Sequence, residues 1–476
     1  MLLKNNYIVY LVSFLFIIIN AVFIINEQYL FLFFPIIIIL GYLLFYKLDI
    51  LLLIIIALTP LSVNFENIGF GIGITLPTEP LLGIVLIVAG LNIFYNRGVY
   101  TGNNIVRHPV SISIIFYLFW ILVTTLTSVM PFVSLKFLIA KLWFIIPFYF
   151  LGIYLFKNFR NFSRVYWLYI IPFVIIIFYT IINHYLNGFT QKSGNWVMKP
   201  FYNDHTSYGA ILVMFLPFIL GYTFNKNFEK KKITWNYLLI LIFVVAIIFS
   251  YTRAAWISLI VALVLFIILK YRIKLIFIIS TALIFAIFAF MFKKQIDYYL
   301  EKNNQDSSNN LVEHVQSMSN ITTDASNLER LNRWNCAIRM FKENPIFGTG
   351  PGTYMFLYAP YQISNEKTII STNSGDGGNA HSEYLGPLSE SGLLGMISFL
   401  FIIITSFYTA IKVYFKSNDN KVKFFAIIPL LGLTTYVFHG ILNNFLDTDK
   451  ASIPFWLFIS MIVALDIFYC KKTSEI

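Results

Sequence analysis

Long apolar runs constrain this chain more than any other feature. Predominantly apolar runs of roughly 17 to 22 residues recur along the chain of 476 residues, and each could cross about 30 Å of hydrocarbon as a helix. A transmembrane barrel would instead show alternating segments of about ten residues. With 58% hydrophobic and 12% charged residues, the sequence indicates a multi-pass α-helical membrane protein and excludes a soluble one.

The fold class predicted is all-α, a polytopic bundle of about fourteen transmembrane helices with both termini cytoplasmic. The first run, about 7–26, is too long for a signal-peptide core and has no small-residue cleavage site, so we expect an uncleaved first span. The boundaries divide the chain into an N-terminal bundle (1–236), a core (237–415) that includes one long outer loop (about 293–384), and C-terminal helices (416–476). Span eleven is predicted at about 275–292, and the polar stretch 301–325 follows it.

The net charge of +12 is explained by how the chain is oriented in the membrane. Lysines and arginines fall in short clusters between apolar runs, as is typical of cytoplasmic loops, and this pattern argues against a nucleic-acid partner. The two cysteines, Cys336 and Cys470, are predicted on opposite membrane faces, so no disulfide is expected. No histidine or cysteine cluster indicates a metal site, and no cofactor is expected.

The outer loop contains one strong helix signal. Ser326 and Glu329 have capping-box spacing, and the helix should end before Pro345. Leucine and aromatic residues at helical spacing (Leu328, Leu331, Trp334, Ile338, Phe341) predict an amphipathic helix on the membrane surface. Arg330 and Arg333 emerge beside that stripe, either as a clamp on a diphosphate or as ligands of anionic lipid.

The remainder of the outer loop leads into the next span and contains further candidate site residues. The run GTGPGTY (348–354) could cradle a phosphate or form a tight turn against the bundle. His381 stands where a substrate would enter, and its ordinary pKa suits a general base. Glu390 lies about a turn inside the membrane and should need a partner, such as an arginine from another span.

Three further polar features lie on the same predicted face. In the turn SYTR, Arg253 begins a span and is either a functional cation or a lipid anchor. In PFYNDHTSYGA, Asp204 could cap the next helix or join His205 in a polar cluster that faces the outer cavity. Lys136 and Lys141 are either substrate cations or side chains that snorkel to the interface.

These motifs together resemble the bacterial O-antigen ligase and O-antigen polymerase superfamily of membrane glycosyltransferases, with the strongest likeness at about 239–400. The resemblance depends on S-x-x-R (Ser250, Arg253), on R-x-x-x-W followed by Pro and G-x-G-P-G (Arg330, Trp334, Pro345, Gly348, Gly350), and on H-S-x-Y-L…E-x-G-L-L-G (His381, Glu390, Gly392, Gly395). PFYNDHTSYGA is also similar to a family motif, with Lys199 where relatives often have arginine.

The resemblance implies a GT-C-like bundle in the bacterial inner membrane, with its active site on the extracytoplasmic face. It implies inverting, metal-independent transfer of a glycan from undecaprenyl diphosphate to a glycan or lipid-core acceptor, with membrane lipids and other polysaccharide-assembly proteins as partners. Arg253 and Arg330 would hold the diphosphate, Arg333 or Arg339 would assist, and His381 would activate the acceptor hydroxyl. A polysaccharide flippase and a non-catalytic assembly scaffold remain as alternatives.

Overall fold

The structure, a computed structural model, describes most of the chain in atomic detail. The described residues are 2–29, 32, 34–65, 74–95, 102–225, 233–274, 325–368, 371 and 378–470. Predicted span eleven, nearly all of the polar stretch 301–325 and the glycine-rich piece of the first outer loop (66–73) lie outside them.

The described elements are almost all helices, which confirms the all-α class. One antiparallel pair of short strands, β1 (Val63–Phe65) and β2 (Ile74–Leu76), pairs Asn64 with Thr75. The first helices are α1 (Leu2–Ile25), α2 (Phe34–Tyr46), α3 (Leu48–Leu58), α4 (Thr78–Tyr95), α5 (Asn103–Val106), α6 (Pro109–Leu126), α7 (Pro131–Ile145), α8 (Gly152–Leu155) and α9 (Arg160–Leu186). The remaining helices are α10 (Gln191–Gly194), α11 (His205–Phe224), α12 (Ile233–Phe249), α13 (Arg253–Tyr271), α14 (Ala325–Glu343), α15 (Tyr354–Leu357), α16 (Leu385–Lys416), α17 (Asn420–His439) and α18 (Asp449–Ala464).

Three short segments have tighter or wider helical turns. A π-helical segment, Ile146–Leu151, joins α7 to α8 without a break, and another, Leu465–Tyr469, extends α18. A single 3₁₀ turn, Ala359–Tyr361, follows α15. Pro147 is the second residue of the first π segment, and it has no amide hydrogen to donate to the regular α-helical pattern.

Eight helices among the described residues are long and apolar enough to cross a membrane. They occupy Pro109–Leu126, Pro131–Leu155, Arg160–Leu186, His205–Phe224, Arg253–Tyr271, Leu385–Lys416, Asn420–His439 and Asp449–Tyr469. Shorter apolar helices cover Ser13–Ile25, Phe34–Tyr46, Leu48–Leu58, Thr78–Leu91 and Trp235–Phe249. Every one of these helices overlaps a span predicted from the apolar runs, so the described part confirms a multi-pass helical membrane protein.

The chain divides into two compact units at Ile54/Ile55. The first unit, Met1–Ile54, holds α1, α2 and most of α3. The described apolar side chains of α1 and α2 are largely exposed, as expected for helices that face lipid, whereas Leu51 and Leu52 of α3 are buried. The second unit contains every predicted site residue. Its innermost helices are α17 and α18, which are buried along nearly their whole length. Because both helices are enclosed by others, the segment 440–448 that joins them lies among the ends of the surrounding helices.

Candidate functional site

The predicted surface helix, α14, buries a different face from the one its apolar stripe indicated. Cys336, Ala337 and Met340 are fully buried and pack with Tyr354 and Tyr358 from the segment that follows. The chain after α14 folds back over the face opposite the stripe and supplies aromatic partners there, and contact of the stripe with a membrane surface stays a prediction. Of the stripe residues, Leu331 is 38% exposed, and the other four are only half-buried.

Glu329 takes part in a buried network of hydrogen bonds. Its Oε1 accepts a hydrogen bond from Arg333 Nε at 2.7 Å, and its Oε2 accepts from the hydroxyls of Thr368 (2.9 Å) and Ser371. Burial of Glu329 disfavours its charge, but these hydrogen bonds outweigh burial and lower its pKa. The Arg333 guanidinium also stacks on the Tyr358 ring at 4.0 Å, so it fastens the loop to α14.

Arg339, like Arg333, is paired with a carboxylate. Its NH2 group lies 2.6 Å from both carboxylate oxygens of Glu366, and its NH1 donates to the Tyr361 carbonyl at 2.7 Å. A bidentate pair of this kind fixes both side chains. The two arginines predicted to assist at a diphosphate, Arg333 and Arg339, therefore contribute to the structure of the loop, and their assisting role stays a prediction.

Arg330 points towards the segment that joins α17 and α18. Its Nε donates to the Leu442 carbonyl at 3.3 Å, and NH1 donates to Asn327 Oδ1 at 3.2 Å. The residue is half-buried, and these two acceptors are neutral oxygens.

His381 has an unusual backbone conformation. Its φ of 48° lies in the left-handed region, which bulky residues rarely adopt. The Asn379 side chain accepts a hydrogen bond from its amide at 3.0 Å, and Trp334 Nε1 donates to its carbonyl at 3.4 Å. These contacts hold the strained residue in place. No described residue hydrogen-bonds its ring nitrogens.

The electrostatic surroundings keep the His381 ring neutral. Burial lowers its pKa to about 4, and the positive charges of Arg330 and Arg333 contribute to the shift. A neutral imidazole has an acceptor nitrogen at physiological pH, as a general base requires. Asp204 is also near enough to act on the ring electrostatically.

The two earlier motifs meet at Thr252. Its hydroxyl donates to the His205 carbonyl at 2.8 Å, which ties the turn before Arg253 to the start of α11. A Cβ at Gly209 would overlap the Thr252 side chain, so glycine permits this close approach. The predicted Asp204–His205 cluster and the arginine turn therefore lie side by side.

Asp204 both caps a helix and lines a cavity. Its Oδ1 accepts hydrogen bonds from the Thr206 amide (2.8 Å), the Thr206 hydroxyl (2.6 Å) and the Ser207 amide (2.8 Å), which confirms the capping interpretation. It also lines a cavity of about 510 Å³. Lys199, by contrast, is exposed, and its carbonyl accepts from Tyr179 at 2.8 Å.

The glycine run forms a turn that packs against α16. The amides of Thr349 and Gly350 donate to the carbonyls of Ser389 (3.2 Å) and Glu390 (2.8 Å), so neither is available to a phosphate. α16 itself is kinked at Gly392, which has φ 68°. The turn interpretation is confirmed, and the phosphate cradle is wrong for these two amides.

Glu390 is paired with the main chain. Its Oε1 accepts from the Tyr354 amide at 2.9 Å, and no arginine in the described ranges contacts it. The expected arginine partner is therefore wrong. Short loops that fold against a buried helix can neutralise a carboxylate with amide dipoles, which a sequence pattern does not reveal.

The segment 440–448 is the main feature that the sequence analysis missed. Glu383 Oε1 accepts hydrogen bonds from Tyr436 Oη (2.6 Å) and from the amides of Phe445 (2.7 Å) and Leu446 (2.9 Å). Lys141, buried and not snorkelling, donates to Asp447 Oδ1 at 2.7 Å. The polar run HGILNNFLDTDK between two apolar spans is the signal that could have identified this segment.

His439 is the last residue of α17. It is 1% exposed, and its Nε2 is buried with no hydrogen-bond partner among the described residues. The charges of Asp204 and Arg330 act on this ring as they do on His381. Both histidines therefore belong to the same end of the bundle.

Two cavities lie at this end of the second unit. The first, of about 510 Å³, is lined by Asp204 and the N-terminus of α18. The second, of about 480 Å³, is lined by Glu390, Glu383 and the residues on either side of His381. The cavities share Lys136, Met355 and Asp447, so they are neighbours. His381 itself lines neither cavity, and no acidic, histidine or cysteine cluster that could hold a metal ion occurs in the described ranges.

Residues 238–400 match the sequence model of a family described as O-antigen ligase. Over these residues the chain is therefore similar to the O-antigen ligase family. The matched region extends from α12 to the middle of α16, so it includes the SYTR turn, α14 and His381. Asp204, His205 and the segment 440–448 lie outside the matched region in sequence and are joined to it by tertiary contacts.

A curated relative supports a wider similarity. An uncharacterized protein of Haemophilus influenzae (strain ATCC 51907 / DSM 11121 / KW20 / Rd) is 23% identical over 269 residues, which is 55% of this chain. The match spans 65% of the relative, just under two thirds of its length. The similarity thus extends beyond the 163-residue matched region (238 to 400 inclusive).

Proposed function

We propose that this protein is an inverting, metal-independent membrane glycosyltransferase. It moves a glycan from undecaprenyl diphosphate to an acceptor sugar hydroxyl on the extracytoplasmic face of a bacterial inner membrane. The acceptor is either a lipid core, as for a ligase, or a growing glycan, as for a polymerase. Membrane lipids and other polysaccharide-assembly proteins are its expected partners. The match to the O-antigen ligase family supports this function in general.

One contact carries the proposal. The indole of Trp334 donates to the His381 carbonyl, so the R-x-x-x-W helix is fastened to the histidine that opens H-S-x-Y-L. Arg330 precedes Trp334 by four residues and lies on the same side of α14. The contact therefore brings a permanent cation and a neutral imidazole to one place, although they are 51 residues apart (330 to 381).

Arg330 and Arg253 are proposed to hold the donor diphosphate. Guanidinium groups donate two parallel hydrogen bonds to phosphate oxygens and stay charged at any physiological pH. When the bond between the anomeric carbon and the diphosphate oxygen breaks, negative charge grows on that oxygen. Fixed cations stabilise this charge and can replace a metal ion. Arg333 and Arg339 would assist by fixing α14 and the loop, as their carboxylate partners support.

His381 is proposed as the general base. The acceptor oxygen attacks the anomeric carbon from the face opposite the diphosphate, and its proton passes to the acceptor nitrogen of His381. The new glycosidic bond forms as the bond to the diphosphate breaks, so the configuration inverts. A bound diphosphate would offset the positive charges beside His381 and raise its pKa, which makes the ring a stronger base in the complex. Glu390, Asp204, His205 and Lys199 are proposed to support the site.

The flippase alternative fits the charge pattern less well. Such a protein would need polar groups along a path through the bundle. In the innermost helix, α18, Asp449 and Lys450 lie at one end and Asp466 follows at the other, with no charged residue between them over about 24 Å of helix. The scaffold alternative predicts that His381 can be replaced without loss of product.

The test replaces the two proposed functional groups separately. His381→Asn removes the base but tolerates the left-handed backbone, because asparagine adopts that conformation more readily than most residues. Arg330→Lys keeps a cation but loses the planar fork. Arg164→Lys, at an exposed cytoplasmic-loop arginine, is the matched control.

We expect both site variants to lose surface glycan and to accumulate lipid-linked precursor, with protein levels and the Arg164→Lys control unchanged. Single-unit precursors would indicate a polymerase, and long precursors a ligase. Normal surface glycan in His381→Asn cells would contradict the general-base role.

A further inference from the structure

The segment 378–381 ends at the proposed base and lies along α14. Gly378 lies directly against the Arg333 guanidinium. Ala380 is 2% exposed and belongs to the buried cluster that α14 forms with the chain after it. The carbonyl of His381 accepts the indole hydrogen bond from the same helix. Three of the four residues therefore contact α14, and the first contact is made by a residue without a side chain.

The contact at Gly378 leaves no room for a side chain. A Cβ at this position would overlap three atoms of Arg333, namely Cζ and both terminal nitrogens. The backbone of 378 therefore approaches the guanidinium more closely than any residue other than glycine permits. The requirement at this position is one of space.

The Arg333 side chain is fixed, so it cannot move aside for a larger residue. It is 4% exposed, its Nε donates to Glu329 Oε1 at 2.7 Å, and its guanidinium stacks on the Tyr358 ring at 4.0 Å. Glu329 is itself held by two hydroxyl groups of the loop. An added side chain at Gly378 would therefore displace the backbone of 378 and leave the arginine in place.

A displacement at Gly378 would reach His381 within three residues. The next residue, Asn379, accepts a hydrogen bond from the His381 amide through Oδ1 at 3.0 Å. The backbone of His381 has φ 48°, a strained conformation that persists only while neighbouring contacts enforce it. The position of the ring therefore depends on the path that the chain takes from Gly378.

We propose that Gly378 is a positioning residue for His381. Because it has no side chain, the backbone rests on the fixed Arg333 guanidinium, and this contact sets the place of the imidazole. The inference rests on the proposed function, since it concerns the base of the same reaction. A shift of about 1 Å in a reacting group can lower a rate a hundredfold, so a contact 3 residues away affects transfer without touching the substrate.

A cycle of two substitutions in the full-length protein tests the contact. Gly378→Ala adds the Cβ, and Arg333→Gln removes the three atoms that the Cβ would overlap. The glutamine amide nitrogen lies near the place of the arginine Nε and can still donate to Glu329. Gly90→Ala in α4 is the matched control, because nothing lies within 4 Å of its Cβ position.

The first measurement is the rate at which lipid-linked precursor becomes glycan product. Membranes from cells with equal amounts of each variant supply the precursor, and the assay temperature is well below every melting temperature. We expect Gly378→Ala to lower the rate at least tenfold and Arg333→Gln about threefold. The double variant should recover to about the rate of Arg333→Gln alone, because the two residues act through one contact.

The second measurement is independent of activity. In NMR spectra of the purified protein with ring-labelled histidine, the signal that His381→Asn removes identifies His381. This signal should move in Gly378→Ala and return in the double variant to its place in Arg333→Gln. The control Gly90→Ala should leave both the rate and the signal unchanged.

A wild-type rate and an unmoved His381 signal in Gly378→Ala would overturn the inference, as would a double variant no better than Gly378→Ala. If Gly378→Ala does not fold, a folded double variant with the His381 signal of Arg333→Gln supports the contact, and an unfolded one overturns it. If wild-type membranes convert no precursor, the proposed function fails, and the His381 signal alone decides whether Gly378 positions the ring.

Discussion

Trp334 Nε1 lies 3.4 Å from the carbonyl oxygen of His381 and donates a hydrogen bond to it. This contact joins α14 to the strained residue that precedes α16, whose φ is 48°. Since Arg330 stands one turn before Trp334, the bond fixes how the proposed diphosphate cation and the proposed base face the same space.

Trp334→Phe tests the importance of this contact. Phenylalanine fills most of the space but cannot donate, so we expect transfer to fall about tenfold with little change in melting temperature. The matched control is Trp235→Phe, because Trp235 is 65% exposed on α12. An equal loss of activity in both variants would show that the effect is not specific to the His381 contact.

The His381 ring should titrate with a pKa of about 4 in the free protein. NMR of ring-labelled histidine measures this value directly. Since positive charge contributes to the lowering, Arg330→Gln should raise the pKa, and added inorganic diphosphate should raise it in the wild type. An ordinary value near 6.5 in the free protein would contradict the buried, cation-flanked environment.

The same shift predicts how stability depends on pH. The folded pKa lies below the unfolded value, so the unfolded chain binds more protons between about pH 6.5 and 4. The contribution of His381 to stability is therefore complete above about pH 6.5 and is lost as the pH falls towards 4. His381→Asn should flatten this part of the stability curve, as measured by thermal unfolding in detergent. A curve of stability against pH that runs parallel to that of the wild type would contradict the lowered pKa of His381.

Glu383 should stabilise the segment 440–448. One of its oxygens accepts from the Tyr436 hydroxyl and from the amides of Phe445 and Leu446. Glu383→Ala therefore leaves the Tyr436 hydroxyl and the Leu446 amide without this acceptor, while the Phe445 amide keeps Tyr436 Oη at 3.2 Å. We expect a loss of about 3 kcal/mol or more, and a smaller loss for Glu383→Gln, whose amide oxygen can still accept. Chemical unfolding of both variants measures the difference. Equal losses would mean that packing, and not hydrogen bonding, holds this segment.

Gly350→Ala should be disruptive. Its φ is 114°, and an added Cβ would overlap the side chain of Ser128, so we expect destabilisation of about 2 kcal/mol or more. Gly83→Ala in α4 is the control, because nothing lies within 4 Å of its Cβ position and alanine favours helix. Melting temperatures should fall for the first variant and stay level or rise for the second.

Local patterns predicted the helices accurately. The stretch after Asp204 illustrates why: an N-capping carboxylate and a run of apolar residues begin a helix at His205 whatever surrounds it. The same reasoning gave the start of α13 at Arg253 and of α16 at Leu385. Membrane spans satisfy their own backbone hydrogen bonds, so sequence alone is sufficient to find them.

The site was predicted less completely. The motifs around Arg253, Arg330 and His381 were identified, but the sequence could not predict the carboxylate partners of Arg333 and Arg339. All guanidinium groups have the same chemistry, and only folding placed carboxylates beside these two. The cavity of about 510 Å³ was also hidden from sequence analysis, since its lining comes from five separate parts of the chain.

The sequence by itself determined the fold class, the approximate positions of the helices and the family resemblance, because hydrophobic length and capping act within a few residues. The tertiary structure alone decided which face of α14 is buried, that Glu390 binds a backbone amide, and that 440–448 joins Arg330 to Glu383. These outcomes depend on contacts between residues distant in sequence. Their energies exist only once the helices pack, so no local pattern encodes them.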